Sequence, residues 1–231
     1  MPIPDVSIIL PCAGFGTRFS APYSKELHCL APGVTVLDRS LEAVVELAKS
    51  GLDVRVVVVF GTHKLDTVRY LARYAETFHM AFVYQDESFA SGLDGAIRSA
   101  LPMTHGPVAL VLPDIVVTGA GSAGCLLAAF RHLGVAGWSV VAAEERDPDT
   151  LRQMGALAVV EGSGSGVATV GAAAEKPADP SGFDAFWGMV AVTQEGAHRL
   201  PDVVSKEADS PLGGAVAVMV ERIVNYNTVA G

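Results

Sequence analysis

The sequence predicts an α/β protein with a mixed, mostly parallel sheet, helices on both faces and antiparallel strands added in the second half. Over residues 1–145, short apolar runs alternate with segments of helical periodicity, which is typical of parallel strands joined by helices. After Gly155, apolar runs follow one another directly, and the segment EGSGSG between two of them indicates a hairpin turn. No change of composition separates residues 1–145 from residues 146–231, so we expect a single domain over residues 1–231.

The individual strands are predicted from short, β-branched apolar runs that are bounded by turn residues. These runs are Val6–Leu10, Val54–Phe60, Met80–Tyr84, Val108–Leu112, Trp138–Ala143, Ala156–Val160, Val167–Ala173 and Phe186–Thr193. Helical spacing of apolar residues predicts helices over residues 37–48, 65–75 and 123–133. Ligands of such sheets bind beyond the carboxyl ends of the strands, so a binding site is expected in the loops that follow them.

Composition restricts the class of protein. The 231 residues are 50% hydrophobic and 18% charged, which is enough to bury a sizeable core in one domain. A net charge of -9 argues against nonspecific binding to nucleic acid. No apolar run approaches the roughly 20 residues that cross a bilayer, and the amino terminus does not resemble a secretory signal. We therefore expect a cytoplasmic protein without nucleic-acid or membrane partners, whose cysteines are core or loop thiols.

The most informative segment follows the first predicted strand, where AGFGTR occupies residues 13–18 and Lys25 follows. Gly14 and Gly16 can adopt backbone angles closed to other residues, so successive amides can point at phosphate oxygens. Arg18 adds a planar guanidinium and Lys25 a compact positive charge. The loop matches neither the dinucleotide-binding glycine motif nor a Walker loop. The residues indicate a polyphosphate site, although glycines at this spacing also occur in purely structural turns.

Further polar residues follow the other predicted strands. Asp114 ends the apolar run VALVLPD and either offers a hard oxygen ligand to Mg²⁺ or belongs to an ordinary Pro-Asp turn. Gln85 follows another strand; its amide suits the imide edge of uracil or thymine, but it is equally an ordinary loop side chain. Glu175 and Lys176 end an apolar run in AAAEKP, a common exposed strand exit.

Together these motifs resemble those of the nucleotidyltransferases that make nucleotide sugars. The family pattern A-G-x-G-T-R is matched in full, and its P-K-x-L is matched by SKEL, with Ser24 in place of proline. The motif is most similar to that of the uridylyltransferase branch, in which a proline and a small apolar residue precede the glycine loop. Pro11 and Cys12 occupy these positions in this sequence. The resemblance covers most of residues 5–228 and is strongest over the first 30.

The resemblance implies a Rossmann-like fold of the glycosyltransferase-A type and transfer of a nucleoside monophosphate from a triphosphate, with UTP or dTTP favoured, to a sugar 1-phosphate. Pyrophosphate is released and Mg²⁺ is the expected cofactor. Residues 1–145 would bind the nucleotide and residues 146–231 the phosphorylated acceptor. Arg18 would hold the β and γ phosphates and Lys25 the α-phosphate region. The phosphate-binding loop would also include Ala13, Gly14, Gly16 and Thr17.

The resemblance also assigns roles in the rest of the chain. Gln85 and Gly92 would contact the base, and Asp114 would bind the metal. Glu175 would contact the hydroxyls of the acceptor, and Lys176 would contact the phosphate of the acceptor. Gly188 would allow the sugar to approach the backbone.

Asn225 stands where an aspartate usually completes the metal site of the family. An amide oxygen can bind Mg²⁺ but brings no negative charge. Three explanations of this departure stay open. The metal site is weaker, another residue such as Asp209 or Asp202 supplies the missing carboxylate, or the chain has lost turnover. Two alternatives to the main function stay open: a cytidylyl- or guanylyltransferase for a small non-sugar phosphate or phosphonate, and a nucleotide-binding regulatory protein. The sequence also leaves open a homo-oligomer.

Overall fold

The computed structural model of the chain describes residues 5–14, 23–89, 92–134, 136–164, 166–206 and 208–226. The strands are β1 (Val6–Pro11), β2 (Cys29–Ala31), β3 (Val34–Thr35), β4 (Val54–Phe60), β5 (His79–Tyr84), β6 (Val108–Val111), β7 (Ile115–Thr118), β8 (Trp138–Glu144), β9 (Gly155–Gly164), β10 (Val167–Glu175), β11 (Ala185–Val192), β12 (Val216–Met219) and β13 (Arg222–Asn225). The helices are α1 (Val36–Ser40), α2 (Glu42–Lys49), α3 (Leu65–Leu71), α4 (Leu93–Ala100), α5 (Cys125–Arg131), α6 (Pro148–Leu151) and α7 (Leu200–Val203). Among the described residues, none of these helices has the length and apolar character that crossing a membrane requires.

The main sheet contains nine of the described strands, in the order β5-β4-β1-β6-β11-β8-β12-β10-β9. Strands β5, β4, β1 and β6 are parallel, and β12 runs parallel to β8. Strand β11 lies antiparallel between β6 and β8, and β10 is antiparallel to both β12 and β9. The predicted mixed, mostly parallel sheet is confirmed, with one antiparallel strand inserted within the sheet rather than added at its edge.

The core lies on both faces of this sheet. Ile8 and Leu10 of β1 point to the face that α1, α2 and α5 cover, whereas Ile9 points to the face that α4 and α7 cover. All three side chains are fully buried. Because successive side chains of a strand point to opposite faces, a strand covered on both sides is largely apolar, as β1 is apart from Ser7, whose buried hydroxyl donates to His105 O at 2.7 Å. The predicted helices on both faces are confirmed.

The predicted hairpin is formed by β9 and β10, whose pairing extends from Gly164 opposite Val167 to Gly155 opposite Glu175. The first residues of β9 also pair with β11, and the first residues of β10 pair with β12. Strands β11, β8, β12, β10 and β9 therefore form a closed circuit. The start of β9 requires glycine, since a Cβ on Gly155 would lie 1.8 Å from the indole nitrogen of Trp187.

Several elements differ from their predicted extent. The helix predicted over residues 37–48 is two helices that meet at Leu41, the first of which begins with a capping box between Thr35 and Asp38. The helix predicted over residues 65–75 leaves α-geometry after Leu71 and ends in a 3₁₀ turn. Strands β2, β3, β7 and β12 were not predicted, because runs of two to four residues carry too little periodicity to be recognised.

Candidate active site

A cleft opens at the carboxyl edge of the parallel strands, where the loops after β1, β5 and β6 converge. It is lined by residues from these loops, from the segment before β2 and from the start of α4: Pro11, Cys12, Ala13, Gly14, Lys25, Glu26, Lys64, Gln85, Gly92, Leu93, Ala96, Leu112, Pro113 and Asp114. Parallel strands end at the same edge, so residues far apart in sequence meet there. The fold thus brings together predicted loop, base and metal residues in one place.

Lys25 and Asp114 form the central contact of this cleft. Asp114 follows β6 after a tight turn and keeps only 7% of its side chain exposed. Lys25 opens a single 3₁₀ turn, and its Nζ donates to Asp114 Oδ2 at 2.5 Å. A cation and a carboxylate that close to each other attract strongly when the surrounding protein reduces their contact with water. The structure therefore joins the residue predicted to steady the α-phosphate to the residue predicted to hold the metal.

The described part of the glycine loop lies at one wall of the cleft. Cys12 N donates to Val59 O at 2.7 Å, which extends the pairing of β1 with β4 beyond the end of the strand. Gly14 has open space on its Cβ side, and its carbonyl oxygen lies 3.4 Å from His63 Nε2. Ala13 lines the cleft, and its contact with phosphate stays a prediction. The predicted contacts of Gly16, Thr17 and Arg18 lie outside the described residues.

Gln85 and Gly92 also line the cleft, where they contact each other. Gln85 Nε2 donates to Gly92 O at 3.3 Å, so the structure pairs the two residues predicted to contact a base. Gly92 has a φ of 106°, a left-handed conformation that side chains with a Cβ rarely adopt, and it precedes the first residue of α4. Glycine is thus required here by the turn itself, and base contact stays a prediction.

Sequence reasoning did not single out Lys64, and it used Glu26 only as part of the SKEL match. Lys64 Nζ donates to Glu26 Oε2 at 3.0 Å, and Thr67 Oγ1 donates to Glu26 Oε1 at 2.7 Å. The side chains of Lys64 and Glu26 are 3% and 1% exposed, so this ion pair is buried beneath the cleft. The signal that could have found Lys64 is its place just after β4, at the carboxyl edge where ligands of such sheets bind.

Cys12 is buried beside these charges. Burial raises the pKa of the Cys12 thiol well above its ordinary value, and the charges of Glu26 and Asp114 act in the same direction, while Lys64 and Lys25 oppose them. A thiol with a raised pKa carries little thiolate at neutral pH. Cys12 therefore serves as a small apolar wall of the cleft and is unsuited to be a nucleophile.

Glu175 and Lys176 lie at the end of β10, next to the start of β9. Lys176 Nζ lies 2.6 Å from Glu175 Oε1, and Lys176 N donates to Met154 O at 3.0 Å. Lys176 has a φ of 48°, unusual for a residue with a side chain. Strained backbone of this kind often accompanies functional sites, although it does not identify a ligand. Acceptor binding by this pair stays a prediction.

The pairing of β13 with β7 brings the backbone of Asn225 close to that of Asp114. Strand β13 places Asn225 opposite Ile115 of β7, and Tyr226 N donates to Asp114 O at 2.9 Å. The Asn225 side chain donates from Nδ2 to Met154 Sδ at 3.1 Å and lines a second hollow together with Glu144 and Glu145. The backbones of residues 114 and 225 are thus close together, whereas the contact described for the Asn225 side chain is with Met154.

The two aspartates considered as substitutes for Asn225 lie elsewhere. Asp202 pairs with Arg199 at 3.2 Å on α7, and neither Asp202 nor Asp209 is among the described residues that line the cleft or the second hollow. The structure therefore offers Asn225, rather than either aspartate, as the neighbour of Asp114.

Gly188 lies in the middle of β11 beneath the ribbon of β7 and β13. A Cβ at this position would be 2.9 Å from Ile223 Cδ1 and 3.1 Å from Ile115 Cγ2. Close packing of the ribbon onto the sheet is thus a sufficient reason for glycine here. Contact between the Gly188 backbone and an acceptor stays a prediction.

The donor set at Asp114 suits Mg²⁺. Mg²⁺ prefers oxygen ligands and is usually held by one or two carboxylates together with substrate phosphates rather than by a complete protein cage. Among the described residues, no group of three or more histidine, cysteine, aspartate or glutamate side chains is placed to hold a metal. The single Asp114 carboxylate therefore fits an ion that arrives with a triphosphate, whereas the Asn225 side chain lines the second hollow.

The chain has the same fold as solved nucleotidyltransferases that form nucleotide sugars. The chain is similar to a UDP-glucose pyrophosphorylase solved with UDP-glucose, with a TM-score of 0.70 and 18% identity over 96% of this chain and 94% of that one. It is similar to a UTP-bound UDP-glucose pyrophosphorylase from Acinetobacter baumannii, with a TM-score of 0.65 and 18% identity over 96% and 89%.

A third similar structure is a protein from Bacillus anthracis assigned as a glucose-1-phosphate thymidylyltransferase and solved with sucrose, with a TM-score of 0.69 and 16% identity over 96% and 90%. No protein-family model matches the sequence, and no curated protein shows a significant match. At these identities the likeness establishes the fold. The resemblance carried by the sequence motifs is thus confirmed at that level, as is the predicted fold class.

Proposed function

We propose that this chain is a nucleotidyltransferase that joins a nucleoside monophosphate to a sugar 1-phosphate and releases pyrophosphate. The observation that carries the proposal is the Lys25–Asp114 pair at 2.5 Å, which lines the same cleft as the described part of the glycine loop and the Gln85–Gly92 contact. Lys25 would supply a cation for phosphate, Asp114 a carboxylate oxygen for the metal, and Gln85 an amide for the base. The similar structures, which include enzymes named for UDP-glucose and for thymidylyl transfer, support the same reaction class and favour UTP or dTTP.

The reaction would proceed by in-line attack of an acceptor phosphate oxygen on the α-phosphorus, with cleavage of the bond between the α-phosphorus and the bridging oxygen. No covalent enzyme intermediate is required, so catalysis depends on positioning and on charge stabilisation. Lys25 would turn from Asp114 towards the α-phosphate, and Arg18 would hold the leaving pyrophosphate. Lys176 would draw the anionic acceptor towards the triphosphate.

Asp114 would hold Mg²⁺ together with triphosphate oxygens, and Asn225 would contribute an uncharged oxygen. The ion would neutralise charge that develops between the phosphates. Because Asn225 adds no negative charge, we expect the metal to bind weakly to the protein alone and more tightly with the nucleotide present.

The proposal is tested by incubating the protein with each common NTP or dNTP, Mg²⁺ and a panel of acceptors while pyrophosphate is followed. We expect pyrophosphate release with UTP or dTTP and a sugar 1-phosphate. Turnover only with CTP or GTP and a non-sugar phosphate or phosphonate would instead support the related transferase.

Nucleotide binding without pyrophosphate from any acceptor would support a regulatory protein, a function that Asn225 in place of the family's aspartate favours. No binding heat for any of these nucleotides in the presence of Mg²⁺ would contradict every form of the proposal.

A further inference from the structure

The residues on both sides of Lys25 are attached to the start of α3. Ser24 N and Oγ donate to Asp66 Oδ2 and Oδ1 at 3.0 and 2.7 Å. On the other side, Glu26 accepts hydrogen bonds from Lys64 and Thr67 at distances between 2.7 and 3.2 Å. The segment that carries the central cation of the cleft is therefore held by short polar contacts to residues 64–67.

The contacts among Glu26, Lys64 and Thr67 are buried, and the Ser24–Asp66 contacts are partly buried. Ser24, Glu26, Lys64 and Thr67 are all buried. Hydrogen bonds to a charged group are stronger than neutral ones, and a buried polar group left without a partner is costly. Burial raises the pKa of the Asp66 carboxyl, but the hydrogen bonds from Ser24 and Thr67 outweigh it, so the net pKa lies below its ordinary value.

The anchor is connected to the centre of the sheet. Residues 64–67 follow β4 after a short turn in which Lys64 N donates to Gly61 O at 2.9 Å. Strand β4 pairs with β1 and β5, so its end is a rigid point of the fold. Lys25 is itself in a one-turn 3₁₀ helix, which is too short to hold its side chain in place without tertiary support.

We propose that Asp66 is a positioning residue for Lys25. Together with the Lys64–Glu26 pair, Asp66 holds the backbone around Lys25 so that its ammonium reaches Asp114 and the phosphate side of the cleft. This inference rests on the proposed function and adds to it a residue from α3 that lies outside the motifs of the resemblance.

The conformation of Ser24 indicates how the inference can be tested. Ser24 has a φ of -62°, within the range that proline imposes covalently. The family pattern P-K-x-L, which SKEL resembles, has proline at this position. Proline has no N–H to donate to a carboxylate. In this chain the hydrogen bonds to Asp66 therefore do what the ring of a proline would do, and Ser24→Pro should make Asp66 dispensable.

The experiment compares the unmodified chain with Asp66→Ala, Ser24→Pro and the double variant, with Glu42→Ala as a control that removes an exposed carboxylate of α2. Pyrophosphate release is measured well below the unfolding temperature of every variant. We expect Asp66→Ala to lower kcat by about 10- to 100-fold, since small misplacements of catalytic groups have effects of that order. The KM for the acceptor should stay unchanged, and both Ser24→Pro and the double variant should keep most of the original kcat.

A second measurement does not depend on turnover. The amides of Leu27 and His28 donate to Ser24 O and Lys25 O within the 3₁₀ turn, so their hydrogen exchange reports on this segment. We expect faster exchange in Asp66→Ala and restored protection in the double variant. If the unmodified chain shows no pyrophosphate release, the proposed function fails, and the exchange pattern still decides whether Asp66 holds the segment.

Three kinetic results would overturn the inference: an unchanged kcat in Asp66→Ala, a double variant as slow as Asp66→Ala, or a loss of turnover in Ser24→Pro alone. The last counts against it because the inference requires only that the backbone at position 24 be held. Unchanged exchange at Leu27 and His28 in Asp66→Ala would overturn it as well.

Discussion

The ammonium of Lys25 and the carboxylate of Asp114 are in contact at 2.5 Å although 89 positions separate them in the chain. The contact joins the segment after the glycine loop to the end of β6, and these are the two places where the sequence motifs expect phosphate and metal. Each group gives the other a charged partner in a cleft where both are largely shielded from water. A triphosphate with its cation would provide the same two partners.

Lys25→Ala should leave the fold intact and lower turnover by about 100-fold or more, because under the proposed function it removes a cation that would act on charge developing in the transition state. Pyrophosphate release gives the rate, and the circular dichroism spectrum checks the fold. Lys49→Ala, which removes an exposed lysine of α2, is the matched control. A variant at position 25 with near-normal turnover would show that Lys25 is not catalytic.

Asn225→Asp should strengthen the proposed metal site, because it adds a second negatively charged oxygen ligand to that of Asp114. We expect the Mg²⁺ concentration that gives half-maximal pyrophosphate release to fall by about tenfold, because ligand charge tunes the affinity of such sites. Asn225→Ala serves as the comparison, as it also loses the contact with Met154 Sδ but adds no charge. Equal metal requirements for the two variants would exclude position 225 from the metal site.

Lys64→Met should destabilise the protein by about 3–5 kcal/mol, because it leaves the Glu26 carboxylate buried without its charged partner. The double variant Glu26→Gln/Lys64→Met should recover much of that loss, since no isolated charge then remains buried. Urea unfolding of both single variants and the double variant completes the cycle. Additive losses in the double variant would mean that the two side chains do not act as a pair.

Gly188→Ala should destabilise the protein by about 1–3 kcal/mol through overpacking beneath the β7–β13 ribbon. Ile223→Val removes the Cδ1 atom that would lie 2.9 Å from the new methyl group, so it should relieve part of the cost in the double variant. Thermal unfolding measures both effects. A stability of Gly188→Ala equal to that of the unmodified chain would indicate that the ribbon can move away from β11 without cost.

Asp38 predicts a pH dependence of stability. Burial raises the pKa of its carboxyl, but hydrogen bonds from Tyr70, Thr35 and Tyr74 lower it further than burial raises it, so the net pKa is depressed. A depressed pKa in the folded state contributes stability above the ordinary pKa of the unfolded chain, and this contribution is lost as pH falls through the folded value.

Asp38→Asn should therefore cost about 2 kcal/mol at pH 7, a typical value for hydrogen bonds to a charged group, and progressively less towards pH 3. Denaturant unfolding across that range measures the difference. Asp149→Asn, at a carboxylate that is 83% exposed, is the control and should show no comparable trend. A difference between Asp38→Asn and the unmodified chain that stays constant with pH would contradict the role of the Asp38 network.

Part of the fold and of the site was accessible without the structure. Strand β4 was predicted with its observed limits, and the β9–β10 hairpin was predicted from EGSGSG, because apolar runs and glycine turns are local signals. Asp114 and Gln85 were predicted from their places after strands. The insertion of β11 between β6 and β8 was not accessible, because strand order depends on contacts between distant segments.

The sequence by itself determined the alternation of strands and helices and the positions of the residues that are predicted to bind phosphate, base and metal, because periodicity and turn residues act locally. The tertiary structure alone decided which of these residues meet. It brought Lys25 into contact with Asp114, paired the buried Lys64 with Glu26 and placed Ser24 within hydrogen-bond distance of Asp66. Such contacts form only where burial in a common core brings separate segments together. It also assigned Gly188 a packing role, because only the folded chain places Ile223 above it.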